Sequence, residues 1–91
     1  MENKVRKKIV VRAKIENEEK LFIKTPFIKL DSALKLSGLA ETGGMAKVFI
    51  EEGSVKVNGE ECLQRGKKLY PGDKILFRNS LLVILDSNEN N

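Results

Sequence analysis

The 91-residue chain has no histidine, no tryptophan, one cysteine and two prolines. Without histidine there is no Ser/His or Cys/His nucleophile pair and no His-containing zinc site. A single cysteine forms neither an internal disulfide nor a thiolate cage, which excludes a disulfide-stapled scaffold. Cys62 lies in Glu60–Leu63, a short stretch that reads as a strand, and an inert, partly buried thiol is the plain expectation there. No apolar run approaches the roughly 18 residues of a membrane span. Ile9–Val11, behind a charged start, is too short for a signal peptide. The expectation is one small cytoplasmic domain without a membrane partner.

Aromatic residues are also few: Phe22, Phe27, Phe49, Tyr70 and Phe77, with no close pair suited to stacking bases. Tyr70 alone, beside a basic loop, is a candidate for such a contact, with simple packing as the alternative. The acid pairs Glu51-Glu52 and Glu60-Glu61 diverge on a helix or a strand and read as solvated surface, not as acid/base machinery. There is no Walker loop, metal cluster or nucleophile–base pair, so neither a catalytic residue nor a cofactor is expected.

What the chain has is charge, unevenly placed. Overall it carries +4, with 17 Lys+Arg against 13 Asp+Glu. Residues 1–14 are net +5, residues 15–61 net −3, residues 62–78 net +4 and residues 79–91 net −2. Two basic blocks flank an acidic stretch, and a polyanion fits such a chain. A hydrophobic fraction of 41% is enough for a compact core.

Along the chain, Ile9, Val11, Ala13 and Ile15 alternate with Val10, Arg12 and Lys14, Glu16–Glu19 is turn-like, and Leu21–Lys24 reads as a second strand. Residues 9–24 thus suggest a β-hairpin, with a basic N-terminal arm as the alternative. Leu30, Ala33 and Leu34 recur at helical spacing up to Gly38. Thr42 is a good N-cap for a second helix over 43–52, with Ala46, Phe49 and Ile50 on its apolar side and Gly53 at its end. Val55–Val57, Asn58-Gly59 and Glu60–Leu63 form a β-hairpin signal with a two-residue turn. Gln64–Lys68 reads as a basic loop and Tyr70-Pro71-Gly72-Asp73 as a turn. Lys74–Phe77 and Leu81–Leu85 are strand candidates, and Ser87–Asn91 reads as a frayed tail. The fold class is α+β: two short helices packed on a small, mostly antiparallel sheet.

The second helix opens on Thr42-Gly43-Gly44, where free N–H groups meet an anion with no Cβ in the way. Lys47, one turn on, leans back toward that opening. A phosphate seat is one reading, and an ordinary capped helix with a solvated lysine is the other. Arg65, Lys67 and Lys68 form a second basic group, and Lys56 points to solvent between inward-facing Val55 and Val57.

Four segments together carry a family resemblance: Ile28-Lys29-Leu30-Asp31; Leu39-Ala40-Glu41-Thr42-Gly43-Gly44-Met45-Ala46-Lys47; Ile50-Glu51-Glu52-Gly53-Ser54-Val55-Lys56-Val57-Asn58-Gly59; and Pro71-Gly72-Asp73-Lys74-Ile75. They resemble the S-four domain (αL motif), the RNA-binding domain named after the fourth small-subunit ribosomal protein, over about residues 28–77. The Gly-Gly-Met-Ala-Lys form is most similar to the small stand-alone bacterial members, of the YaaA type. The resemblance implies binding of structured RNA, ribosomal or tRNA-like, alone or in ribosomal particles, by a non-enzymatic monomer. Other members fuse this domain to pseudouridine synthases, methyltransferases or a tRNA synthetase, and the expectation here is the binding domain without such a catalytic domain. A protein-interaction domain, or an accessory subunit of an RNA-modifying enzyme, is the alternative.

The resemblance also implies a site: Lys29, Lys35, Thr42, Gly43, Gly44, Lys47, Lys56, Asn58, Arg65, Lys67 and Lys68. Where the family pattern has arginine, this chain has Lys29, Gly43 and Lys47. Lysine keeps phosphate binding but lacks the bidentate fork. The implied organisation is a basic extension over 1–27, the RNA-binding domain over 28–85 and a disordered tail over 86–91.

Overall fold

The computed structural model describes residues 15–90. In chain order they form β1 (Asn17–Ile23), β2 (Ile28–Lys29), α1 (Leu30–Leu36), α2 (Gly43–Glu51), β3 (Val55–Val57), β4 (Glu60–Glu61), β5 (Lys68–Leu69), β6 (Lys74–Phe77), β7 (Ser80–Asp86) and a 3-10 turn (Ser87–Asn90). Five strands make one sheet in the order β1-β7-β6-β3-β4, and β2 pairs with β5 as a separate two-stranded ribbon. All pairs are antiparallel except β1 with β7. This is the expected α+β class.

Alternation assigns the two faces of the sheet. Val55, Val57, Ile75, Phe77, Leu82 and Ile84 point inward and join one core with Leu30, Ala33, Leu34, Ala46 and Ile50 of the two helices. Each helix buries its i, i+3 or i+4 positions and leaves the opposite side wet. α1 and α2 pack against each other as the expected helical pair. Their ends follow local chemistry. Thr42 Oγ1 accepts the Met45 N–H at 3.0 Å, and Gly53, at φ +86°, lets the Ser54 N–H reach the Phe49 carbonyl at 3.0 Å. Asn58 and Gly59 both have positive φ, as a tight two-residue hairpin turn requires.

Four expectations are corrected. Glu16–Glu19 is not a turn. Glu16 and Asn17 donate to the Asn79 carbonyl at 2.8 and 3.2 Å, and β1 runs straight on from Asn17 beside β7. Its first residues are polar because an edge strand here is exposed at its start. Residues 9–14, the other half of the expected hairpin, lie outside the described residues. Lys68 belongs to a strand, not a loop, because β5 pairs with β2. The strand expected over Glu60–Leu63 ends at Glu61, although the Cys62 N–H still donates to the Val55 carbonyl at 3.0 Å. In the segment 86–91, Asp86 closes β7 and Ser87–Asn90 coil into the 3-10 turn, with the Asn88 N–H donating to the Asp86 carboxylate at 2.8 Å.

Candidate nucleic-acid interface

The β2–β5 ribbon gathers much of the basic charge. Ile28 pairs with buried Leu69, and Lys29 pairs with Lys68. Strand alternation sends the apolar pair inward and leaves the two lysines exposed, directly opposite each other. Facing like charges oppose strand pairing, and an anion between them removes the repulsion. The next residues draw in the rest of the group. The Leu30 N–H donates to the Lys67 carbonyl at 2.9 Å, and the Asp31 N–H donates to the Arg65 carbonyl at 3.1 Å. Lys29, the N-cap of α1, makes no side-chain cap, so these loop carbonyls satisfy the helix start instead. The backbone thereby holds Lys29, Arg65, Lys67 and Lys68 at one corner. Among the described residues, Lys29, Arg65 and Lys67 have no carboxylate partner. Lys68 Nζ lies 4.8 Å from the centroid of the Phe27 ring, which in turn sits 6.0 Å from the Tyr70 ring.

At the start of α2, Gly43 and Gly44 are exposed, and neither has a positive φ. A Cβ on Gly43 would meet nothing within 4 Å, and one on Gly44 would make an ordinary 3.8 Å contact with Thr42 Oγ1. The fold therefore does not require glycine at either position, although glycine in a helix costs roughly 0.5–1 kcal/mol relative to alanine. What the two glycines leave is bare backbone N–H at a positive helix end, with exposed Lys47 one turn on.

The other expected residues do not join these groups. Lys56 is exposed between buried Val55 and Val57, so it lies on the sheet face opposite the helices. There it stands across from Glu61 on one side and Leu76 on the other. Lys35 sits in the last turn of α1, where a cation complements the helix dipole. Asn58 has its side chain engaged within the fold. Its Oδ1 accepts the Lys74 N–H at 2.9 Å, and its Nδ2 donates to Asp73 Oδ1 at 3.0 Å. Asp73 Oδ2 accepts the Tyr70 N–H at 2.8 Å, so the pair clasps two turns together.

One cation escaped the sequence reading. Arg78, in the β6–β7 turn, holds its guanidinium carbon 5.0 Å from the Phe49 ring centroid and 4.8 Å from that of Phe77. The two rings lie 4.8 Å apart, tilted by 32°. The sequence signal is only a Phe-Arg-Asn turn, because the second ring comes from α2.

The chain is also similar to known proteins. A family model described as the S4 domain matches residues 21–85. The chain is 47% identical over 53 residues to a Bacillus subtilis protein named "Probable ribosome maturation protein RlbA", covering 58% of this chain and 75% of that one. It is 39% identical over 54 residues to an Escherichia coli protein named "Putative RNA-binding protein YbcJ", covering 59% of this chain and 77% of that one.

Proposed function

This chain belongs to the S4 domain family, and from that premise we propose that it binds structured RNA without catalysing a reaction on it. The target in this reading is ribosomal RNA or a ribosome assembly intermediate. The names of the two relatives, one for ribosome maturation and one for RNA binding, support that choice. The observation that carries it is the corner where Lys29 and Lys68 face each other and the Arg65–Lys67 loop hangs on the start of α1. The glycine opening of α2 with Lys47 supplies a second phosphate seat. Lysines read phosphate as point charges, so recognition follows the shape of an A-form or folded RNA more than its base edges.

Neutralising about five phosphates gives a log–log slope of affinity against salt of roughly −4. Lys47→Glu and Lys67→Glu should each weaken binding to a labelled ribosomal RNA fragment by about tenfold or more. Thermal midpoints should hold, because both side chains are exposed. Filter binding across a salt series measures both quantities. RNA retention unchanged by either reversal sinks the reading and favours a protein-interaction domain.

A further inference from the structure

The Arg78 corner lies outside the site described above. The residue sits in a tight turn at φ +59°, a left-handed conformation that glycine or asparagine ordinarily fills. An arginine there costs backbone energy. Its side chain lies over two aromatic rings, Phe49 from the helical layer and Phe77 from the sheet. Stacking takes up the faces of a guanidinium and leaves its in-plane N–H edge open. Arg78 is exposed, and among the described residues that edge has no acceptor. A rigid, unpartnered fork of donors is suited to two oxygens of one phosphate. A second observation falls at the same turn. The carbonyl of Asn79, the next residue, accepts the N–H groups of Glu16 and Asn17, so the turn that carries Arg78 is tied to the start of β1.

We propose that Arg78 is a further RNA contact: its guanidinium, braced on Phe49 and Phe77, takes the non-bridging oxygens of one backbone phosphodiester. The contact is separate from the Lys29–Lys68 corner and restores, at another place in the fold, the arginine fork that the S4 positions of this chain lack. It rests on the RNA-binding reading above.

The rival is that Arg78 only covers two rings. The full chain, titrated into a fluorescent RNA stem-loop at several salt concentrations, separates the two. Arg78→Ala should lower affinity about tenfold and make the salt slope shallower by about 1. Arg78→Lys, which keeps the charge and loses the fork, should keep the parent slope and bind several-fold more weakly than the parent. Thermal melts of both variants are read alongside. Affinity and slope of Arg78→Ala within twofold of the parent overturn the proposal, whether or not the melting midpoint falls. If Arg78→Ala does not fold, Arg78→Lys decides: several-fold weaker binding at an unchanged midpoint supports the contact, and parental affinity overturns it. A parent chain that does not bind the stem-loop even at low salt overturns the RNA-binding reading itself. A parent that binds while both variants match it overturns this contact alone.

Discussion

The lysine corner and the Arg78 corner place positive charge by opposite means. At the first, the backbone does the positioning: Lys29 and Lys68 are strand partners, and the carbonyls of Arg65 and Lys67 accept from the start of α1. The long side chains beyond that frame are exposed, with only Lys68 resting on a ring. At the second, the backbone is strained and the side chain is what is held, with its guanidinium carbon over two rings. A charge placed by backbone adapts to many phosphate geometries, so lysine serves there as well as arginine. A charge placed by stacking offers one geometry, and only a planar guanidinium supplies it.

The largest effect that tests this contrast is on the anchor under the lysines. Leu69 is fully buried and is the inward half of the two-residue β5. Leu69→Ala should cost about 3 kcal/mol, from lost burial and the cavity left behind. At several degrees per kcal/mol for a domain this small, the melting midpoint falls by roughly 15 °C. A circular-dichroism melt measures it. A shift of only a degree or two would mean that the lysine corner does not depend on its buried anchor. Next comes the clasp. Asp73→Ala leaves the Tyr70 N–H and the Asn58 amide without their acceptor, and costs about 2 kcal/mol by urea denaturation. RNA affinity should stay within about twofold of the parent under conditions where the variant is folded, because the clasp acts on the fold. A loss of affinity without loss of stability would return Asn58 to the RNA contacts.

How much of this was legible in the sequence depends on how far each feature reaches along the chain. The helix caps at Thr42 and Gly53 and the Asn58-Gly59 turn rest on neighbours a few residues apart, and local chemistry decides them. The outward aim of Lys56 also follows from its two flanking valines. The partner of β1 did not follow, because β7 lies far along the chain, and acidic Glu18 and Glu19 look like a turn when the strand beside them is unknown. In the site, the charges were plain, but their adjacency was not. Lys29 and Lys68 meet only because Leu69 must be buried opposite Ile28. Asn58 belongs to the expected site through the family resemblance alone, whereas its acceptor, Asp73, comes from a different turn. Arg78 was silent for the same reason, since Phe49 and Phe77 converge only in the folded core.

The smallest effect sharpens the comparison most. Lys68 resembles Arg78 in lying over a ring, with its ammonium 4.8 Å from the Phe27 centroid. An exposed contact of this kind contributes about 0.5–1 kcal/mol, and an ammonium, unlike a guanidinium, has no plane to align with the ring. Phe27→Leu keeps apolar cover over the half-buried site and removes the ring's attraction for the cation. If backbone pairing with Lys29 positions Lys68, stability should fall by less than about 1 kcal/mol, and RNA affinity should change by less than about twofold. Urea denaturation and anisotropy titration read the two quantities on the same preparation. A tenfold loss of affinity would show that Lys68 is fixed by its ring as Arg78 is by two. The two corners would then differ in the number of rings rather than in the level at which the charge is set.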